Sequence, residues 1–324
     1  MNTQQLNDNN NKPIVVAVVG IIGAGKSTII RRLQETTVLP DTLKRSFGNW
    51  KPKIVYVREK SAEWEKHGDL KRFYEDPDTH AYWFQTMVLN SYVDAMDEAL
   101  QEKPDVVVVE RTMMCQRIFW EIQVELGRTQ DHQDRAYRGN DLKGRSGIWS
   151  KWERLTVRPD IILYAKTSEI ETTLDRVKSR GREGENASPE DEKVGEKETG
   201  GVTLSYEQQL KAAHDKQYAS YKCRPFGMPS IECIHVSTDE PLHEDDKVLK
   251  RIVVDPIQRA TNRILADRKQ KQAHFNQEAI NEQVRLAVAY NSVDVPDVVE
   301  NAALAVEHEK EKNKTWVQVL MQRN

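Results

Sequence analysis

Gly20-Ile21-Ile22-Gly23-Ala24-Gly25-Lys26-Ser27 sets glycines, a lysine and a hydroxyl in the order G-x-x-x-x-G-K-S. Glycines let successive backbone N–H groups turn inward around an anion. A lysine at this spacing reaches the β- and γ-phosphates of a nucleotide, and the serine hydroxyl holds Mg²⁺. Gly20, Gly23, Ala24, Gly25, Lys26, Ser27 and Thr28 therefore form a candidate triphosphate cradle. The apolar run Ile14–Val19 precedes it. The segment from Thr28 to Leu33 follows it and reads as a helix whose positive end faces the same anion. The competing reading is an ordinary glycine-rich turn, and a strand pattern before with a helix after counts against it.

Other chemistry-bearing residues follow further apolar runs. Arg58-Glu59 comes after Ile54–Val57, with Trp64 five residues on from Glu59. A carboxylate there can accept the proton of an attacking hydroxyl; the alternative is a surface cap with Trp64 in the core. Val106–Val109 runs into Glu110-Arg111-Thr112. An acid at this place in P-loop enzymes commonly meets the Mg²⁺ shell, and Arg111 can then orient Glu59 or contact a substrate oxygen. The plainer alternative is a buried ion pair. Asp76-Pro77 opens a helix carrying Ala81, Phe84, Val88, Tyr92 and Ala95 on one face. Gln85 sits beside that stripe, where an amide can pair with a nucleobase edge, although taken alone it reads first as a solvated helix residue. Arg176, Lys178, Arg180 and Arg182 gather cations able to cover a phosphate chain. A solvated helix face is the alternative, but the Gly181 break and the insertion after it favour a closing lid.

The elements that must position these groups share one design. Lys12-Pro13, Lys51-Pro52, Lys103-Pro104 and Arg158-Pro159 each precede a β-branched run, the last being Ile161–Ala165. Proline is tolerated where a strand begins but not inside it. The runs are apolar rather than alternating, as strands covered on both faces must be. A fifth run, Ile231–Val236, is less pure. Helical segments between them predict an α/β domain with a parallel sheet, whose ligands sit beyond the carboxyl ends of the strands.

At 324 residues the chain suits one α/β domain with an appendage, or two domains. Its net charge of −3 and pI near 6.3 supply no basic field to recruit nucleic acid. No apolar run approaches the roughly 18 residues of a membrane span, so no membrane partner is expected. Cys115, Cys223 and Cys233 form no C-x-x-C, which fits a reduced compartment. With no signal-like stretch in Met1–Lys12, the expected location is cytoplasmic. The acidic 183–201 segment reads as a mobile surface insertion. From about Glu244 the pattern becomes helical and highly charged, with Asp245–Gln272 and Phe275–Tyr290 as separate helices.

Taken together these residues resemble the deoxyribonucleoside kinase family over about residues 13–240. The matching stretches are Gly20–Thr28, Glu59 with Trp64, Phe73-Tyr74-x-Asp76-Pro77 leading to Phe84-Gln85, Glu110-Arg111-Thr112, Arg180-x-Arg182, and Leu204-Ser-Tyr206 with Leu210 and His214. The resemblance implies a three-layer P-loop kinase fold with a five-stranded parallel sheet, a lid insertion at about 176–203 and a helical carboxyl-terminal extension. The implied divisions are a disordered tail over 1–12, a kinase-like domain over 13–243 and the extension over 244–324.

It further implies ATP and Mg²⁺ as cofactors. Lys26 and Ser27 would bind the triphosphate and metal, Glu110 would serve the metal shell, and Arg176, Arg180 and Arg182 would face the phosphates. Glu59 becomes the base for a sugar 5′-hydroxyl, supported by Arg111. Trp64 lines the nucleoside pocket, Tyr74 and a lid glutamate (Glu185, with Glu183 beside it) meet the 3′-hydroxyl, and Gln85 reads the base. Deoxycytidine and deoxyguanosine kinases carry an Arg/Asp pair where this chain has Tyr92 and Gln116, so those positions are candidate substrate contacts that match neither base subclass. The expected activity is phosphorylation of a deoxynucleoside 5′-hydroxyl by a homodimer, with an unidentified partner possible for the extension. The rivals are a thymidylate-type monophosphate kinase, which would need a further cation for the substrate phosphate, and a non-catalytic accessory subunit of the same fold, for which the full set Lys26, Ser27, Glu59, Gln85 and Arg111 has no purpose.

Overall fold

The computed structural model describes residues 12–139, 147–186, 201–219, 222–223 and 231–289. Nearly all of the expected tail, most of the acidic insertion and the last stretch of the extension lie outside the described residues. The strands are β1 (Ile14–Val19), β2 (Ile54–Val57), β3 (Val106–Glu110), β4 (Ile161–Lys166), β5 (Lys222–Cys223) and β6 (Ile231–Ser237). They lie in the order β2-β3-β1-β4-β6-β5. β1, β2, β3, β4 and β6 are mutually parallel, which is the expected five-stranded sheet. The two-residue β5 adds an antiparallel edge to β6 that the apolar-run pattern is too short to reveal.

The helices are α1 (Lys26–Glu35), α2 (Val38–Leu43), α3 (Ser61–Lys66), α4 (Asp69–Glu75), α5 (Pro77–Gln101), α6 (Met113–Glu125), α7 (Asp131–Arg138), α8 (Ile148–Leu155), α9 (Ile170–Arg180), α10 (Leu204–Tyr218), α11 (Asp246–Leu249) and α12 (Asp255–Ala289). Every residue of β1 and β3 is buried, because helices cover the sheet on both faces. Among the described residues no helix is long and apolar enough to cross a membrane. Cys115 and Cys233 are buried thiols.

Aspartates pin the strand starts. Asp160 accepts from the Val15 amide at 2.9 Å, and Asp105 from the Lys53 amide at 2.7 Å. Ile14 and Ile54 both register with Val106, so β1, β2 and β3 begin flush. Flush starts bring the carboxyl ends to one level, with Val18 opposite Glu110. The strand order reverses around β1, and the loop that follows β1 opens at that switch point.

The chain divides into two units, one running Pro13–Asn262 and the other built from 1–12 and 263–324. The first therefore extends past the boundary expected at 243. Leu249, Val253, Val254, Ile257 and Ala260 are all fully buried, and Gln258 donates to the Thr42 carbonyl at 2.9 Å. Ile257 and Ala260 stand at helical spacing in the sequence, but the dense charge around them points to an extension rather than to core. The helix there is also continuous through the expected break near 272–275, and a π-helical turn over Lys250–Val254 joins it to α11. In the second unit the described residues continue that helix to Ala289.

Candidate active site

Proline-free, β-branched β1 ends at Val19, and the glycine loop carries the chain from there into α1. Gly23 adopts φ 74°, and a Cβ there would lie 2.3 Å from the Thr173 carbonyl oxygen of α9. Only glycine lets the loop close against that helix. Lys26 is buried and donates to the Ile21 carbonyl at 2.7 Å. Burial and the neighbouring Arg111 bring its ammonium down to about 8. Ser27 donates to Glu110 at 2.8 Å, so the two candidate metal residues meet across the β1–β3 register.

Arg111 follows directly. Its Nε donates to Glu59 Oε1 at 2.6 Å, its Nη1 to the Gly20 carbonyl at 3.3 Å, and its guanidinium lies 4.6 Å from the Phe119 ring centre. Burial alone would raise the Glu59 carboxyl, but Arg111, Lys26 and Arg182 outweigh it and hold Glu59 below its ordinary range. Glu59 is therefore an anion at neutral pH. The ion-pair alternative for Glu110-Arg111 is half right: the arginine is paired, but to Glu59, while Glu110 turns to Ser27.

A cavity of about 320 Å³ joins these groups. One end holds Gly23, Gly25, Lys26, Ser27 and Thr28. The other is walled by Trp64, Leu70, Phe73, Tyr74, Phe84 and Val88. Phe73 stacks on Phe84 at 4.6 Å, and Trp64 meets Phe84 edge-on at 5.8 Å. Asp76 caps α5 by accepting from the Thr79 amide at 3.2 Å, which sets the helix phase. That phase turns Gln85 inward: it is buried, not solvated, and lines the cavity with Gln116 of α6. Tyr92, two turns further along α5, is buried and is not among the residues that line the cavity.

The lid arginines line the cavity. Arg180 donates to Glu185 at 2.7 Å, and Arg182 to Ser61 at 2.9 Å. Glu185 is buried and lines the cavity, whereas Glu183 is exposed and paired with Lys71. Arg176 instead grips the loop: it donates to the Gly23 carbonyl at 3.5 Å and to the Thr238 carbonyl at 2.8 Å. Asn186 bridges Val202, closing the base of the insertion. Gly20 and Ala24 shape the loop from behind rather than lining the cavity.

Sequence reasoning missed Ser61, Phe119, Thr238 and Glu207. Thr238 follows the last parallel strand, so asking what lies beyond each strand end would have found it. The others carry no local signal. Among the described residues no group of three or more His, Cys, Asp or Glu residues is arranged to hold a metal. The hard oxygen donors Ser27 and Glu110 nonetheless suit a cation that takes one or two protein ligands and completes its shell with phosphate and water.

A glycine loop at a switch point, a buried Glu–Arg pair across from it and a cavity with two amides agree with one family model. The model for deoxynucleoside kinase matches residues 16–259. The chain belongs to the deoxynucleoside kinase family. No curated protein matches the chain. Deoxynucleoside kinases are nucleoside kinases that generally use ATP, and the matched span includes every cavity residue as well as buried Leu249, Val253, Val254 and Ile257.

Proposed function

We propose that this kinase transfers the γ-phosphoryl group of ATP, with Mg²⁺, to the 5′-hydroxyl of a deoxyribonucleoside. The single observation that carries the reading is the Arg111–Glu59 pair at 2.6 Å, in the same cavity as Lys26, Ser27 and Glu110. Sugar and base would occupy the end walled by Trp64, Phe73 and Phe84, with Gln85 and Gln116 at the base and Tyr74 and Glu185 at the 3′-hydroxyl.

Ionised Glu59 accepts a hydrogen bond from the 5′-hydroxyl, aims its lone pair and takes the proton late in the transfer. A carboxylate held at low pKa is too weak a base to remove an alcohol proton outright, and a loose phosphoryl transition state does not require it. Lys26 leaves the Ile21 carbonyl for the phosphates, while Arg180 and Arg182 stabilise charge that develops as the bond breaks. Ser27 and Glu110 would hold Mg²⁺, which neutralises phosphate charge when bound.

The nucleoside end is lined by aromatic and aliphatic side chains. That apolar lining favours an uncharged acceptor over a monophosphate. The reading is tested by offering the four deoxynucleosides, thymidine among them, and thymidine monophosphate with ATP and Mg²⁺. Phosphorylation of a nucleoside is expected. Turnover of the monophosphate alone would overturn the reading.

A further inference from the structure

The proposed mechanism leaves one buried acid unused. Glu207 of α10 is fully buried, and neither of its carboxyl oxygens has a well-formed hydrogen bond, although the Ile22 amide approaches it. Its surroundings belong to the phosphate end of the site. Lys26 of the loop, Arg111 after β3 and Arg180 of α9 all bear on its charge, and so does the nearby amide of Ile22. Its charge is also felt by Tyr74 of α4 and by its own neighbour Tyr206.

The peptide unit joining Ile21 to Ile22 is thus bracketed. Its carbonyl accepts from Lys26 at 2.7 Å, and its N–H approaches Glu207 from the other side. A carboxylate wholly out of water and without well-formed hydrogen bonds is costly, and protonation relieves that cost. Burial raises the Glu207 carboxyl to about 8, against the opposing pull of Lys26, Arg111, Arg180 and the Ile22 amide. Burial therefore favours its neutral form at pH 7.

We propose that Glu207 is a positioning residue of the glycine loop that acts in its protonated form, so that a proton behind the loop and a polyphosphate in front of it stabilise one another. The inference rests on the loop's being a triphosphate site. With Glu207 neutral, no anion behind the loop competes with phosphate for Lys26. With Glu207 ionised, a buried negative charge sits near Lys26 and repels the phosphates through a medium that screens little. Linkage is reciprocal, so nucleotide binding raises the proton affinity of Glu207. The carboxylate takes that proton from solvent, and no other bond changes.

The test is calorimetric titration of the full chain with ATP and Mg²⁺ at pH 8, in two buffers of different ionisation enthalpy, for wild type, Glu207→Gln and Glu207→Leu. Wild type is expected to take up more protons on binding than either variant, by up to about half a proton. Its ATP Kd should rise several-fold more between pH 7 and 9 than theirs, because only the lysine then titrates in the cradle. Kcat at saturating ATP should stay within about twofold, separating positioning from chemistry.

Thermal unfolding supplies a second readout that needs no ligand. Because the folded pKa is raised from 4.5 to about 8, wild type loses stability relative to Glu207→Gln as pH rises through that window, and the Tm difference should widen accordingly. Variants that fold yet show wild-type proton uptake, or identical Tm–pH profiles, overturn the inference while leaving the phosphate site standing. A wild type that binds no ATP at any pH overturns both.

Discussion

Arg111 joins the end of β3 to Glu59 while its own backbone is left-handed, at φ 69°. An arginine in that region costs of order 1–3 kcal/mol and persists where its surroundings over-determine it. Here they do. Its amide donates to the Val18 carbonyl at 2.9 Å, extending the β1–β3 ladder, and its guanidinium reaches both Glu59 and the Gly20 carbonyl. One residue therefore couples the carboxylate beyond β2 to the first residue of the phosphate loop.

Glu59→Gln should lower kcat about a hundredfold or more while ATP still binds, the scale of general-base contributions. Arg111→Ala should do the same and also lower stability, since it strands a mostly buried carboxylate, at most about 3–5 kcal/mol. Near-normal turnover in either variant removes that residue from the mechanism. With Glu59 held below its usual 4.5, the acid limb of kcat/KM belonging to this group should lie under pH 4.5.

Ser27→Ala and Glu110→Gln should raise the Mg²⁺ concentration needed for half-maximal rate by about 10–100-fold, the range seen when groups around a metal are altered. Titrating Mg²⁺ at fixed ATP measures it. An unchanged requirement in both variants would place the ion elsewhere.

Gln85→Leu should cut kcat/KM for the preferred nucleoside by about 10–100-fold, because a base edge loses a paired donor and acceptor. Gln116→Leu should change the ratio between bases more than the rate on the best one. Comparing four deoxynucleosides with each variant separates the two amides.

Gly184 seats the lid. It adopts φ 85°, and a Cβ there would lie 2.9 Å from the Lys71 Cα of α4. Gly184→Val should lift the lid from α4 and raise the nucleoside KM about tenfold, with little change in Tm because the contact is peripheral to the core. An unaltered KM would show that lid seating does not limit binding.

Ending the chain after Asn262 should leave folding and activity intact, since the unit Pro13–Asn262 keeps every cavity residue. Ending it after His243 should abolish folding, because Leu249, Val253, Val254, Ile257 and Ala260 leave the core. Thermal melts and a phosphorylation assay on the two truncations decide the matter.

The features legible in the sequence were those with short-range causes. The glycine loop, the Pro-led strands and the Asp76-Pro77 cap each follow from the conformational limits of a few neighbouring residues, and all were found where expected, although β2, at the sheet edge, is mostly half-buried rather than buried. Glu59 and Arg111 could be singled out because a parallel sheet sends its functional groups to one end.

Folding in three dimensions decided what depends on partners distant in the chain. Gln85 reads as a surface amide until the fold buries it in one cavity with Trp64, Phe73 and Phe84, and Tyr92, on the same face of α5, lies about two turns further along the axis and outside that lining. Glu185 and Glu183 differ by two positions, yet one is buried and the other pairs with Lys71, because Gly184 turns the chain between them. Glu207 is one more acid on a charged helix in the sequence and a wholly buried one in the fold. Backbone preferences are local and can be read residue by residue. Burial and charge pairing are set by which side chains meet across gaps of fifty or more residues, and only the packed chain brings those together.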